Sequence, residues 1–144
     1  MQYKKNLDPT VVRAVGARGR SGVDVYLSAT KLLLDWSLLT NVTMRMTKAN
    51  QLGLLGFGGP SGYRNRAQVE GSLAYQFSRR FVAGAEYRTK PSNLAIARED
   101  DAWDLFAAFG LGRHLTATVA YADLGSIATF NGQRGMLVQL QGSF

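Results

Sequence analysis

Apolar and polar residues alternate along most of this chain. In RAQVEGSLAYQF, the residues Ala67, Val69, Gly71, Leu73, Tyr75 and Phe77 oppose Gln68, Glu70, Ser72, Ala74 and Gln76. FVAGAEYR sets Phe81, Ala83, Ala85 and Tyr87 against Val82, Gly84, Glu86 and Arg88. AWDLFAAF sets Trp103, Leu105, Ala107 and Phe109 against Asp104, Phe106 and Ala108. The same period runs through VDVYLSAT, TNVTMRMT, LTATVAYAD and the closing GMLVQLQGSF. Successive side chains of a strand point to opposite faces, so a period of two predicts strands with one apolar face. A helix would instead repeat its apolar residues every three to four positions. With the stub MQYKKN read as the tail of one more, about eight strands are expected.

The connections alternate too. Short ones lie around Leu34–Ser37, Ser78–Arg80 and Gly110–Arg113, and long ones around Leu7–Ser21, Ala49–Tyr63, Lys90–Asp101 and Asp123–Arg134. Short turns at one end and long loops at the other are the arrangement of an up-and-down outer-membrane barrel. Counted back from Phe144, every short turn falls at the end that holds the C-terminus. The expected fold is therefore all-β: an antiparallel up-and-down transmembrane β-barrel of about eight strands, or the C-terminal part of a larger one. Residues 1–144 would form a single β-barrel domain whose first strand is cut short. A soluble barrel or sandwich also alternates, with its apolar face inward, and remains the alternative.

In the membrane reading, Val69, Leu73, Tyr75, Val119, Tyr121, Leu140 and Phe144 face lipid. Asp24, Arg45, Glu70, Glu86, Arg88 and Asp104 face the lumen, where their mixed signs can pair. Aromatic residues near the strand ends (Tyr75, Phe77, Phe81, Tyr87, Trp103, Phe109, Tyr121 and Phe144) would form two interfacial girdles.

Composition permits this reading. The 144 residues suffice for one domain, and hydrophobic residues make up 46%. No apolar run reaches the length of a transmembrane helix, but a membrane barrel alternates its faces and looks soluble on average. Cysteine is absent, which removes disulfides and thiolate metal sites. No apolar segment of a signal peptide follows Met1. The formal charge of +7 suits an anionic membrane surface or a nucleic acid. Arg13, Arg18, Arg20, Arg64, Arg66, Lys90 and Arg134 are scattered among the long loops. On an outer-membrane barrel they would lie beside lipopolysaccharide phosphates, which guanidinium binds bidentately. A nucleic-acid surface would cluster them on one element with aromatics for stacking, so nucleic acid is not expected.

Candidate chemistry is sparse. His114 sits in the short turn GLGRH, and a nucleophile would have to come from Ser37 or Ser78 in neighbouring turns, without a flanking motif. GLLGFGGPSG lacks the lysine and the following helix of a phosphate loop. It reads as a mobile external loop whose Leu54, Leu55 and Phe57 could instead fold into the mouth. REDD, with Glu99, Asp100 and Asp101, reads as a solvated acidic loop tip, because three adjacent carboxylates do not usually converge on one cation. No catalytic residue, metal site or cofactor is expected.

The ending GMLVQLQGSF resembles the C-terminal signature of bacterial outer-membrane proteins, which implies that the barrel-assembly machinery reads the Phe144 strand. QYKKNLD, SGVDVYLSATKLLL, TKANQLGLLGFGG, GAEYRTKPSNL, ARED, and YADLGSIAT followed by NGQRG resemble a proteobacterial family of outer-membrane barrels known as a domain of unknown function. The resemblance runs nearly end to end. Family members extend further at the N-terminus, so it implies that this chain is their C-terminal part. It implies a fold and the bacterial outer membrane, and no activity. The expected role is a structural or channel-type barrel whose loops meet lipopolysaccharide or a partner subunit. A soluble ligand-binding barrel is the alternative. A barrel lipid hydrolase dependent on His114 is the third reading.

Overall fold

The computed structural model describes residues 1–5, 8–60, 62–94, 99–126 and 130–143. Eight antiparallel strands form a single sheet in which each pairs with the next in chain order. They are β1 (Gln2–Lys5), β2 (Ser21–Leu33), β3 (Leu38–Thr47), β4 (Arg66–Ser78), β5 (Phe81–Arg88), β6 (Ala102–Gly110), β7 (Leu115–Asp123) and β8 (Arg134–Gly142). The chain is thus all-β and up-and-down, as the alternation predicts. Among the described residues no ladder joins β8 to β1, so the sheet is not closed by hydrogen bonds. No described helix is long and apolar enough to cross a membrane.

Two stretches of edge remain. β1 pairs only with Ser21–Asp24, so the outer side of Val25–Leu33 has no partner strand among the described residues. Among the described residues β8 is paired with β7 alone, and it is exposed along its length. The short connections all gather at one end, where Ser37 takes a left-handed conformation with φ of 51° to close the β2–β3 turn. The long connections gather at the other. One holds the short α-helix α1 (Pro9–Ala14), which the alternation does not reveal because six residues are too few for a period. Its signal is local: Asp8 accepts from the N–H groups of Thr10 and Val11 at 2.8 and 3.3 Å, with Pro9 opening the first turn.

Register fixes the two faces. Pairs such as Met44↔Val69, Leu73↔Ala85 and Val119↔Val138 put the apolar residues of successive strands together. This apolar face is the exposed one: Leu27 is 78% exposed, Leu73 50% and Leu140 66%. On the polar face, Asp24, Gln68 and Ala74 are buried. Deepest burial of apolar side chains lies mainly among the loops, at Val12, Ala49, Phe57 and Leu94.

Candidate functional site at the loop end of the polar face

The charges of the polar face lie on one surface and link across strands. Lys4 Nζ meets Asp24 at 2.9 Å, and Thr47 donates to the same carboxylate at 2.6 Å. Arg45 is paired with Glu70, which Arg88 also reaches at 3.5 Å. Glu86 stands directly opposite Asp104. By register Asp24, Arg45, Glu70, Glu86, Arg88 and Asp104 share one face of the sheet, and Arg45, Glu70 and Arg88 form a connected group. Of the residues expected on the other face, Val69, Leu73, Tyr75, Tyr121 and Leu140 are exposed there and Val119 is half-buried. Phe144 lies outside the described residues.

The aromatic residues of the apolar face fall into two rows. Near the turns, Tyr75 contacts Phe77 edge-on at 4.7 Å, and Phe77, Phe81 and Phe109 stack at 5.1 and 4.6 Å. Near the loops, Tyr87 pairs in register with Trp103, whose ring lies 5.9 Å from that of Tyr121. Within β5 the rows are separated by the stretch from Phe81 to Tyr87, about 20 Å of strand.

At the loop end the long connections are tied together by polar contacts. Asn50 donates to the Gly58 carbonyl at 2.8 Å, and Asn93 donates to Asn50 Oδ1 at 3.0 Å. Gln51 reaches two other loops: its N–H donates to Glu99 Oε2 at 3.2 Å and its side-chain amide to the Ser126 carbonyl at 2.9 Å. Gln51 and Leu52 hold left-handed conformations, with φ of 45° and 59°. Non-glycine residues adopt these at a cost, and such strain concentrates where a site has to be held. Lys90 Nζ donates to the carbonyls of Leu124 and Ser126 at 2.6 and 3.3 Å.

Phe57 is fully buried, so the glycine-rich loop is folded in rather than loose. The fit depends on Gly22, where a Cβ would come within 2.5 Å of the Phe57 ring. The acidic run is also not a solvated tip throughout. Asp100 and Asp101 are exposed, but Glu99 is only 4% exposed, because the Gln51 loop covers it. Its burial pushes the carboxyl up to about 7, against the opposing pull of the Gln51 N–H and the Lys90 charge. The three carboxylates diverge: Asp101 accepts from Tyr87 and from the Lys90 N–H, and no metal-binding cluster occurs among the described residues. Arg98 lies outside them. Burial also pushes the Lys90 ammonium down.

Two cavities line the polar face. One of about 230 Å³ sits at mid-height against Ser72, Glu86 and Asp104. The other, of about 190 Å³, lies beneath the loops against Gln51, Leu54, Lys90 and Glu99. Glu70 and Arg88 line both. Of the basic loop residues, Arg134 is engaged with Asp123 at 2.8 Å and Lys90 points inward, while Arg13, Arg18 and Arg64 are exposed. His114 is exposed in the β6–β7 turn, and its carbonyl accepts from the Ser143 N–H at 2.9 Å.

Sequence reasoning identified the charged face and missed the loop group of Asn50, Gln51, Asn93 and Ser126. The available signal was a phenylalanine set among glycines, which marks tight packing better than mobility. No curated protein and no solved structure matches the chain. The family model described as a protein of unknown function, DUF3034, matches residues 1–141. The chain belongs to that family.

Proposed function

We propose that this protein is an outer-membrane β-barrel in which the apolar face meets lipid, the polar face lines the interior and the folded-in loops cover one mouth. The observation that carries this reading is the inverted exposure of the sheet. Val69, Leu73, Leu105 and Tyr121 on the inner strands β4, β6 and β7 are 40–53% exposed, while Asp24 and Gln68 on the opposite face are 1% and 8% exposed. A soluble monomer seldom presents an apolar surface spread over many strands, and a soluble barrel would need these residues inward. The two aromatic rows support the same reading as interfacial girdles. So does the pairing of the half-buried Arg45, Glu70 and Arg88, whose charges find partners on the same face.

The role is structural more than conducting. An eight-stranded barrel has an interior that side chains can fill, and here the loops cross its mouth as well. Unpaired N–H and C=O groups are not tolerated in hydrocarbon, so the edges at Val25–Leu33 and β8 must gain partners on insertion, from this protein or from a partner subunit. The exposed loop arginines suit lipopolysaccharide phosphates. The alternating pattern of β8 suits recognition by the barrel-assembly machinery.

Gel mobility of the chain refolded in detergent micelles tests the proposal, alongside its solubility in plain buffer. A faster-migrating unboiled band that reverts on boiling, with aggregation in buffer, is the expected result. A soluble monomer with no mobility shift would overturn it and turn the apolar face inward.

A further inference from the structure

The free edge of β2 carries a charge that nothing in the sheet answers. Lys31 falls on the same face as Val25, Leu27 and Ala29, in a row that runs through Thr40 to Leu73. It is exposed, its cross-strand neighbour Thr40 is neutral, and it forms no ion pair among the described residues. Asp35, in the turn that follows, is exposed and does not pair with it. A charge on the lipid face of a barrel is costly in proportion to its depth. An unmatched cation beside an unpaired edge therefore marks a place for a partner that answers both.

Direction narrows the choice. β2 and β8 both run from the loop end to the turn end, since β2 leads into the Leu34–Trp36 turn and Gly142 pairs with Leu115 beside the β6–β7 turn. A second copy in the same membrane would present its own free edges in that same direction. Copy-to-copy pairing would then be parallel, in a sheet whose ladders are all antiparallel. β1 runs the opposite way and holds β2 in an antiparallel register from Gln2↔Asp24 to Lys5↔Ser21. Extending that register sets Met1 opposite Val25 and leaves Tyr26–Leu33 open. Toward the polar face the open stretch presents Tyr26, Ser28 and Thr30, which are uncharged. Ser28 bonds Thr43 at 2.7 Å, and Thr30 accepts from the Asn41 amide at 2.7 Å. Toward the apolar face, Leu27, Ala29 and Leu33 flank Lys31.

We infer that the open edge of β2 docks one extended segment of another stretch of polypeptide, lying end to end with β1 and antiparallel to β2. The segment is apolar opposite Leu27, Ala29 and Leu33, polar but uncharged opposite Tyr26, Ser28 and Thr30, and acidic opposite Lys31. The backbone ladder supplies affinity, and the alternating side chains supply specificity. The site rests on the membrane reading only for the cost of Lys31, because the ladder needs no more than the free edge.

The chain has no cysteine, which permits disulfide trapping. The probe is the peptide Leu-Thr-Glu-Thr-Val-Thr-Val-Thr, whose first residue stands opposite Leu33 and whose last stands opposite Tyr26. The full chain is folded in detergent micelles with its β-sheet circular dichroism verified. Ala29→Cys should cross-link to the peptide with Cys at its fifth position, and Ser28→Cys to the peptide with Cys at its sixth. The crossed combinations put the two thiols on opposite faces and should not react. Replacing the peptide Glu by Lys should weaken trapping at least about fivefold, and Lys31→Ala should abolish that preference. Cross-linking in the crossed combinations, equal trapping of the two peptides when Lys31 is present, or no trapping by a folded chain would each overturn the docking site. Trapping by a chain that shows no heat-dependent mobility shift would keep the site and remove the membrane reading.

Discussion

At the turn end of the sheet, β4 is joined to β5 and β6 to β7 by connections of a few residues, and Phe77, Phe81 and Phe109 stack across the strands. At the loop end, the contacts join residues far apart in the chain: Asn50 with Asn93, Gln51 with Glu99 and Ser126. One end is held by hairpin geometry and ring stacking, the other by hydrogen bonds among buried polar groups. Hairpins form from local sequence at little loop-closure cost, whereas polar contacts across long loops are made only once the sheet has assembled. The turn end is therefore the expected site of early structure, and the loop end the place where a buried titratable carboxyl, Glu99, sits.

Removing the apolar anchor of the loop end should separate the two most clearly. Phe57 is fully buried among the loops, so Phe57→Ala leaves a cavity worth about 3–5 kcal/mol of local stability. Amide exchange should accelerate from Ala49 to Gly59 and around Gly19–Gly22, and stay unchanged at Phe81 and Phe109. Equal acceleration at both ends would show that they do not open independently.

Leu73 lies in the band between the aromatic rows, and both ends share that band. Leu73→Arg on the exposed face should cost about 2–4 kcal/mol if that face meets hydrocarbon. Denaturant titration in lipid vesicles reads this loss at both ends together. Ser72→Arg, one residue away on the polar face, should be milder. The reverse order would mean that the polar face has no room and the apolar face no lipid.

The same contrast explains what the sequence reveals. A period of two is set within each strand, so the bounds of β4 to β7 and the turns at Leu34–Ser37 and Ser78–Arg80 follow from neighbouring residues. Charges such as Glu70 and Arg88 fall on one face by the same parity, and register then brings them together. Nothing local says that Asn50 meets Asn93, or that Glu99 is covered by Gln51 while Asp100 stays exposed. The helix at Pro9–Ala14 and the left-handed Gln51 and Leu52 are likewise fixed by capping and by tertiary contacts, which hydrophobic periodicity does not register.

Acidity offers a smaller handle on the loop end alone. Glu99 is raised from 4.5 to about 7 by burial, so between those values the folded chain holds a proton that the unfolded chain has released. Stability must then fall as pH rises through this window and level off above it. At about 1.4 kcal/mol per pH unit, the ionised carboxylate costs up to about 3 kcal/mol. Glu99→Gln removes the titration: near pH 4 the variant should match the parent, and at pH 8 it should be more stable by about 1–3 kcal/mol. Denaturant midpoints at the two pH values, with amide exchange at Gln51 and Ser126 against Phe81, measure the difference. A pH response of the same size at Phe81 would place the titration in the whole sheet, whereas a response confined to the loops keeps the two ends distinct.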